Sequence, residues 1–290
     1  MPVDISSDIE LTHHLVETSL GPISVSEVGT GPVLVMLHGG GPGASGVSNY
    51  HQNLPALSRE FRVVLPDQPG FGGSYRPTAE DLDERSITQI TTDALLQALA
   101  ALGIDEFHLL GNSLGGAAAL DIAITARDRV SSLVLMAPGG GWLPVGPTPT
   151  EGQKEMWKYY NGGGPSEKKM GAFINVMVAE PKKLGPEVVR SRYEASLDES
   201  HIEFYHLYNA AFAKRGGMDP LWRDVHKIKA PTLLLWGRDD RTITLDGADI
   251  MLKQIRDVQL HVFGRCGHWV QLERQVEFDR LVADFVRDRA

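Results

Sequence analysis

Apolar and polar positions along the chain follow two rhythms that alternate. Ile23 to Val28 switches apolar and polar residue by residue, as a strand with one exposed face does. Pro32 to Leu37, Phe61 to Leu65, Phe107 to Leu110, Ser132 to Met136, Thr232 to Trp236 and Val258 to Phe263 are short apolar runs. Runs of that length suit strands covered on both faces of a sheet. Between them lie helical periods: Ser86 to Leu102, with Ser86 as N-cap and Gly103 as stop, Ala117 to Ala126, Leu245 to Ile255, and Arg274 to Arg287. Strands alternating with helices predict an α/β fold, a mostly parallel twisted sheet with helices on both faces.

The rhythm breaks after Pro138. Gly139-Gly140-Gly141 leads into a proline-rich stretch (Pro144, Pro147, Pro149), and amphipathic segments then run from Thr150 to about Gly217 with no buried-strand pattern. This reads as a helical insertion of about 70 residues, long enough to be functional. The division is core over 1–142, helical lid over 143–217 and core again over 218–290. In open α/β sheets ligands bind beyond the carboxyl ends of the strands, so an insertion placed there is expected to cap the site and select the substrate.

Composition narrows the partners. With 42% hydrophobic and 22% charged residues the chain can bury a core. A net charge of −9 opposes binding to nucleic acid or an anionic membrane, so an anionic substrate would need a local cation. The single cysteine, Cys266, excludes an intrachain disulfide framework. Met1 to Thr12 is polar with no apolar signal region, and no run reaches the length of a membrane span, so a cytoplasmic protein is expected.

The candidate chemistry starts at Gly111-Asn112-Ser113-Leu114-Gly115, a Gly-x-Ser-x-Gly string between an apolar run and a small-residue helix. That strand–turn–helix setting is what a nucleophile elbow requires. A serine hydroxyl needs a base, and an acyl-transfer triad of this architecture runs Ser, then Asp or Glu, then His. Asp239 and Asp240 both follow the strand ending at Trp236; a Gly-x-x-Asp turn brings the fourth residue round to face the site, which favours Asp240. His268 lies in the glycine-punctuated loop past the last strand. An oxyanion hole would use the Leu114 amide and one from His38-Gly39-Gly40-Gly41, most simply Gly40.

Other features read as structural. His38 braces its loop, His13 and His14 are exposed, Cys266 packs, and Asp105 and Asp121 lie on solvated faces. The histidines share no metal-ligand spacing, so no metal is expected. Gly41-Pro42-Gly43-Ala44-Ser45-Gly46, with Asp67 further on, mimics a dinucleotide fingerprint. Pro42 inside the turn and Pro55 in the following helix oppose it, and it leaves Ser113, Asp240 and His268 unexplained.

The chain resembles the meta-cleavage product hydrolases, carbon–carbon bond hydrolases of the α/β-hydrolase superfamily that open dienoates left by extradiol ring cleavage. The motifs are His38 to Ala44, Ser48-Asn49, Gly111 to Gly116, Trp236 to Arg241, Cys266-Gly267-His268-Trp269 and Pro149 to Gly152. The resemblance implies Ser113, Asp240 and His268 as triad and Gly40 and Leu114 as oxyanion donors. It implies Asn112, Arg192 and Trp269 on the 2-hydroxy-6-oxo-dienoate head, with Asn49 and Gly41 bordering the pocket. It also implies a small-molecule anionic substrate, no cofactor and a homo-oligomer. Val47 departs from the family, which often has an aromatic residue there, and Phe204 to Trp222 looks more like steroid-pathway members than biphenyl ones. A carboxylesterase or amidase would share the triad, and a catalytically silent binding protein could share the fold.

Overall fold

A computed structural model describes residues 9–143 and 145–289; the polar stretch 1–8 and Pro144 of the proline-rich segment lie outside them. Eight strands form one sheet: β1 (Thr12–Val16), β2 (Ile23–Val28), β3 (Val33–Leu37), β4 (Arg62–Pro66), β5 (Phe107–Asn112), β6 (Val130–Met136), β7 (Thr232–Gly237) and β8 (Val258–Phe263). Their order is β1-β2-β4-β3-β5-β6-β7-β8. The β1–β2 and β2–β4 pairs are antiparallel and the rest parallel. The α/β expectation is met, and β1 adds an edge strand that the sequence pattern concealed. His14 there is half-buried and reaches Glu27 at 3.1 Å, so it is not free on the surface.

The helices of the first half are α1 (Gly46–Tyr50), α2 (Leu54–Leu57), α3 (Ala79–Glu84), α4 (Ile87–Ala101) and α5 (Ser113–Thr125). Between β6 and β7 come α6 (Glu151–Tyr160), α7 (Glu167–Met177), α8 (Pro186–Ala195) and α9 (Glu199–Arg215). Then follow α10 (Ala248–Gln254), α11 (Val270–Glu273) and α12 (Gln275–Arg287). Ser86 caps α4 as expected, in a reciprocal capping box with Gln89.

The central strands are buried throughout: β5 and β7 expose no residue, because helices cover both faces. One face packs on α4 and α5 through Leu95, Leu99, Leu109 and Ile122, the other on α2 and α12 through Leu57, Leu110, Phe278 and Val282. Asp121, expected on a solvated face, is half-buried on α5, and burial pushes its carboxyl above the ordinary value. The four helices between β6 and β7 have an apolar cluster of their own (Tyr159, Met170, Phe173, Met177, Tyr205), which Trp269 of the core joins.

Candidate active site

The strand ends bring the sequence-distant residues together. β5 runs into α5 through Ser113, whose φ of 54° is left-handed backbone that a residue with a Cβ rarely adopts. The turn closes because its glycines admit backbone where no side chain fits. A Cβ on Gly115 would lie 2.4 Å from the Leu37 carbonyl oxygen, and one on Gly111 as close to that of Gly115. Ser113 opens α5, so the Leu114 amide is among the first helical N–H groups, which have no intrahelical acceptor. Gly40, on the loop after β3, packs against Leu114, with a hypothetical Cβ 2.8 Å from Leu114 Cδ2. Two amide-bearing segments thus flank Ser113, the arrangement that can hold a developing oxyanion.

Asp240 follows β7 and is buried. Its Oδ1 accepts from the amides of Thr242 (2.7 Å) and Ile243 (3.0 Å), and its Oδ2 lies 2.7 Å from His268 Nδ1. Those three bonds fix the carboxylate in one orientation and leave His268 Nε2 as the imidazole's free edge. The neighbouring Asp239 is more exposed and pairs with Arg238. The insertion helps place the imidazole: the His268 amide donates to the Met177 carbonyl at 2.7 Å, and Glu273 accepts from the amides of Gly267, Ala179 and Glu180. Cys266 is buried, its thiol pushed up by desolvation, so it packs rather than reacts.

Ser113 and His268 face one small chamber, lined also by Gly39, Gly40, Gly41, Asn49, Asn112 and Arg192, with Met156, Phe173, Met177 and Trp269. All three triad candidates, Gly40, and every residue expected at the substrate head therefore converge. Arg192 is the unusual one. Its Nε is shut off from solvent without a hydrogen-bond partner, and among the described residues no carboxylate pairs with it. Its guanidinium lies 4.7 Å from the Trp269 ring, and burial pulls its pKa down to about 10. Asn49 Nδ2 and Asn112 Oδ1 also lack partners. Buried polar atoms without partners cost about 1–3 kcal/mol each, and three such atoms, on Asn49, Asn112 and Arg192, belong to residues of this chamber. The three insertion residues Met156, Phe173 and Met177 escaped the sequence reading, because nothing separates them from ordinary helix-face hydrophobics until the insertion is folded over Ser113.

His38 braces its loop: Nε2 accepts from the Gln68 amide at 3.0 Å and Nδ1 lies 2.9 Å from the Gly39 carbonyl. The glycine string at 41–46 has α1 behind it, a helix of only five residues. Its Gly43 is occupied by the insertion, since a Cβ there would fall 2.6 Å from the Arg192 carbonyl oxygen. Among the described residues no cluster of metal-ligating side chains occurs, and no helix is long and apolar enough to cross a membrane.

Comparison with known proteins agrees with this geometry. Residues 32–275 match the family model described as the alpha/beta hydrolase fold. A 2-hydroxy-6-oxo-6-phenylhexa-2,4-dienoate hydrolase from Comamonas testosteroni is 39% identical over 270 residues, 92% of each chain. A 2-hydroxy-6-oxononadienedioate/2-hydroxy-6-oxononatrienedioate hydrolase from the same organism is 36% identical over 91% of each. The solved meta-cleavage product hydrolase of Pseudomonas fluorescens superposes with a TM-score of 0.83 at 31% identity, over 97% of this chain and 99% of that one. The chain belongs to the α/β-hydrolase fold family and, within it, to the meta-cleavage product hydrolases, serine hydrolases that cleave a carbon–carbon bond.

Proposed function

We propose that this enzyme cleaves the C5–C6 bond of a 2-hydroxy-6-oxo-hexa-2,4-dienoate whose C6 substituent is apolar, and that residues 143–217 act as its lid. The observation that carries the reading is Arg192, a cation without a carboxylate partner at the edge of a chamber that holds Ser113 and His268. A planar guanidinium suits a carboxylate, and in a protein of net charge −9 it supplies the local attraction an anion needs. Arg192, Asn49, Asn112, Gly41 and Trp269 would hold the dienoate head. Met156, Phe173 and Met177 would take the tail, and they offer no cation to a second carboxylate.

In this reading His268 first moves a proton from the 2-hydroxyl to C5, so that the enol becomes a ketone at C2. Ser113, deprotonated by His268 with Asp240 behind it, then adds to the C6 carbonyl. The Gly40 and Leu114 amides hold the oxyanion. Collapse breaks C5–C6; the electron pair passes into the dienolate, and an acyl group stays on Ser113. Water activated by His268 frees that acyl group as a carboxylic acid. The sum is substrate plus water giving a 2-hydroxypenta-2,4-dienoate and an acid, with no cofactor.

The test is a panel of dienoates differing at C6, followed by loss of the yellow chromophore. Turnover should be highest for phenyl or alkyl tails and much lower for a carboxylate-bearing tail. A preference for the dicarboxylate would overturn the tail assignment. Hydrolysis of p-nitrophenyl esters with none of any dienoate would favour a carboxylesterase on the same triad.

A further inference from the structure

The chamber at Ser113 is small, and a larger cavity lies against it. A groove of about 210 Å³ runs between α8 on one side and α1, the 3-10 turn His51–Asn53 and α11 on the other. Groove and chamber share three side chains, Asn49, Arg192 and Trp269. The remaining wall is largely apolar (Val47, Val188, Ala195, Leu272), with His51, Gln52 and Gln271 among it. His51 Nε2 and Gln271 Oε1, like Asn49 Nδ2 and Arg192 Nε, have no protein partner. The outer wall is thin: α8 has no buried residue. Its carboxyl end rests on the oxyanion loop at Gly43, while Glu187 and Val188, at its amino end, line the groove with Gln271 and Leu272 of the core.

The shared residues make a threshold. Arg192 stands between the wide groove and the narrow chamber, and among the described residues no carboxylate neutralises it. A monoanion with an apolar tail that comes down the groove can pass the tail over the apolar wall into the chamber of Met156, Phe173 and Met177. Its carboxylate would be stopped where the guanidinium is. Carboxylate-first passage would instead carry a charge past Arg192 towards Met156, Phe173 and Met177, where desolvation opposes it. Taking the proposed reaction as the basis, we infer that the groove between α8 and α1–α11 is the passage from solvent to Ser113, which the dienoate enters tail first and through which its head-bearing product returns.

The native thiol is no obstacle to testing this chemically, because Cys266 is buried. Val188→Cys in the full chain places one reactive thiol on the groove wall. It is treated with methyl, benzyl and long biotin-bearing methanethiosulfonates. Val276→Cys, on α12 and 82% exposed, serves as the control. Two rates are read: kcat/KM for a 6-phenyl dienoate, and labelling of Ser113 by a small fluorophosphonate, which needs only a nucleophilic serine and an open path. With Val188→Cys both rates should fall as the adduct grows, by at least about tenfold for the largest, and return on adding dithiothreitol. The control should stay within about twofold. Both rates unchanged under the largest adduct would overturn the passage. Slowed phosphonate labelling in an enzyme that never turns over a dienoate would keep the passage and refute the substrate. Should Val188→Cys fail to fold, Val47→Cys on the opposite wall carries the same measurement.

Discussion

The sheet side and the helical side of the chamber hold their residues by different means. On the sheet side the backbone does the positioning. Ser113 sits at φ 54°, Gly115 is pressed against the Leu37 and His38 carbonyls, and Asp240 is held by two amides as well as by His268. On the helical side the decisive group is one arginine on a helix with no buried residue, leaning on a tryptophan face, beside two flexible methionines. The first arrangement is held by backbone geometry and backbone hydrogen bonds, the second by side-chain packing. Reaction and substrate choice are therefore separable, and substitutions on the two sides should fail in different ways.

The largest effect belongs to the sheet side. Ser113→Ala keeps the strained turn, since alanine carries the same Cβ, but removes the nucleophile. Steady-state kcat should drop on the order of 10⁴-fold or more for dienoates and simple esters alike, while dienoate binding persists in a spectral titration. Retention of near wild-type turnover on either substrate would place the nucleophile elsewhere.

Arg192→Ala should separate the two sides. Loss of a buried charge-assisted contact to the head predicts a fall of roughly 10²-fold in kcat/KM for dienoates. Esters without a carboxylate should change by less than about threefold. An equal loss on both would mean that Arg192 supports the fold of the chamber and not the recognition of an anion. Met156→Arg probes the tail: a cation placed there should shift the ratio of phenyl to dicarboxylate dienoates by about tenfold towards the dicarboxylate. No shift in that ratio would remove Met156 from the tail pocket.

What the sequence revealed follows the same division. Elements fixed by local backbone chemistry were readable: the Gly-x-Ser-x-Gly turn between a strand and a helix, the serine cap of α4, the loop histidine after the last strand. Even the choice between Asp239 and Asp240 rested on turn geometry, and the buried, doubly bonded carboxylate is that of Asp240. The lining from the insertion was not readable, because Met156 and Met177 sit on helices whose apolar faces look alike whether they cover a core or a ligand. The groove was equally hidden. His51, Gln52 and Gln271 are polar residues in two segments over 200 positions apart, which meet in the fold through contacts such as the hydrogen bond from Gln52 Nε2 to the Gln271 carbonyl.

The smallest effect on catalysis should come from a group beneath that groove wall. Asn53 Nδ2 donates both to the Gln271 carbonyl (3.2 Å) and to Asp279 Oδ1 (2.7 Å), tying the 3-10 turn to α11 and α12. Burial pushes the Asp279 carboxyl up to about 7, although the Asn53 bond pulls the other way. The folded chain thus holds this proton more tightly than the unfolded chain does. The protonated acid's contribution is fully present below the ordinary value of 3.8 and is lost as pH rises through about 7. Asp279→Asn keeps the acceptor for Asn53 and removes the charge. Its urea midpoint should exceed that of the wild type at pH 8, the gain shrinking as pH falls towards 4, with kcat on a dienoate unchanged within about twofold. A gain of equal size at both pH values would show that the carboxylate is not strained by burial. A loss of turnover alongside the gain would show that the sheet side depends on this tie for more than support.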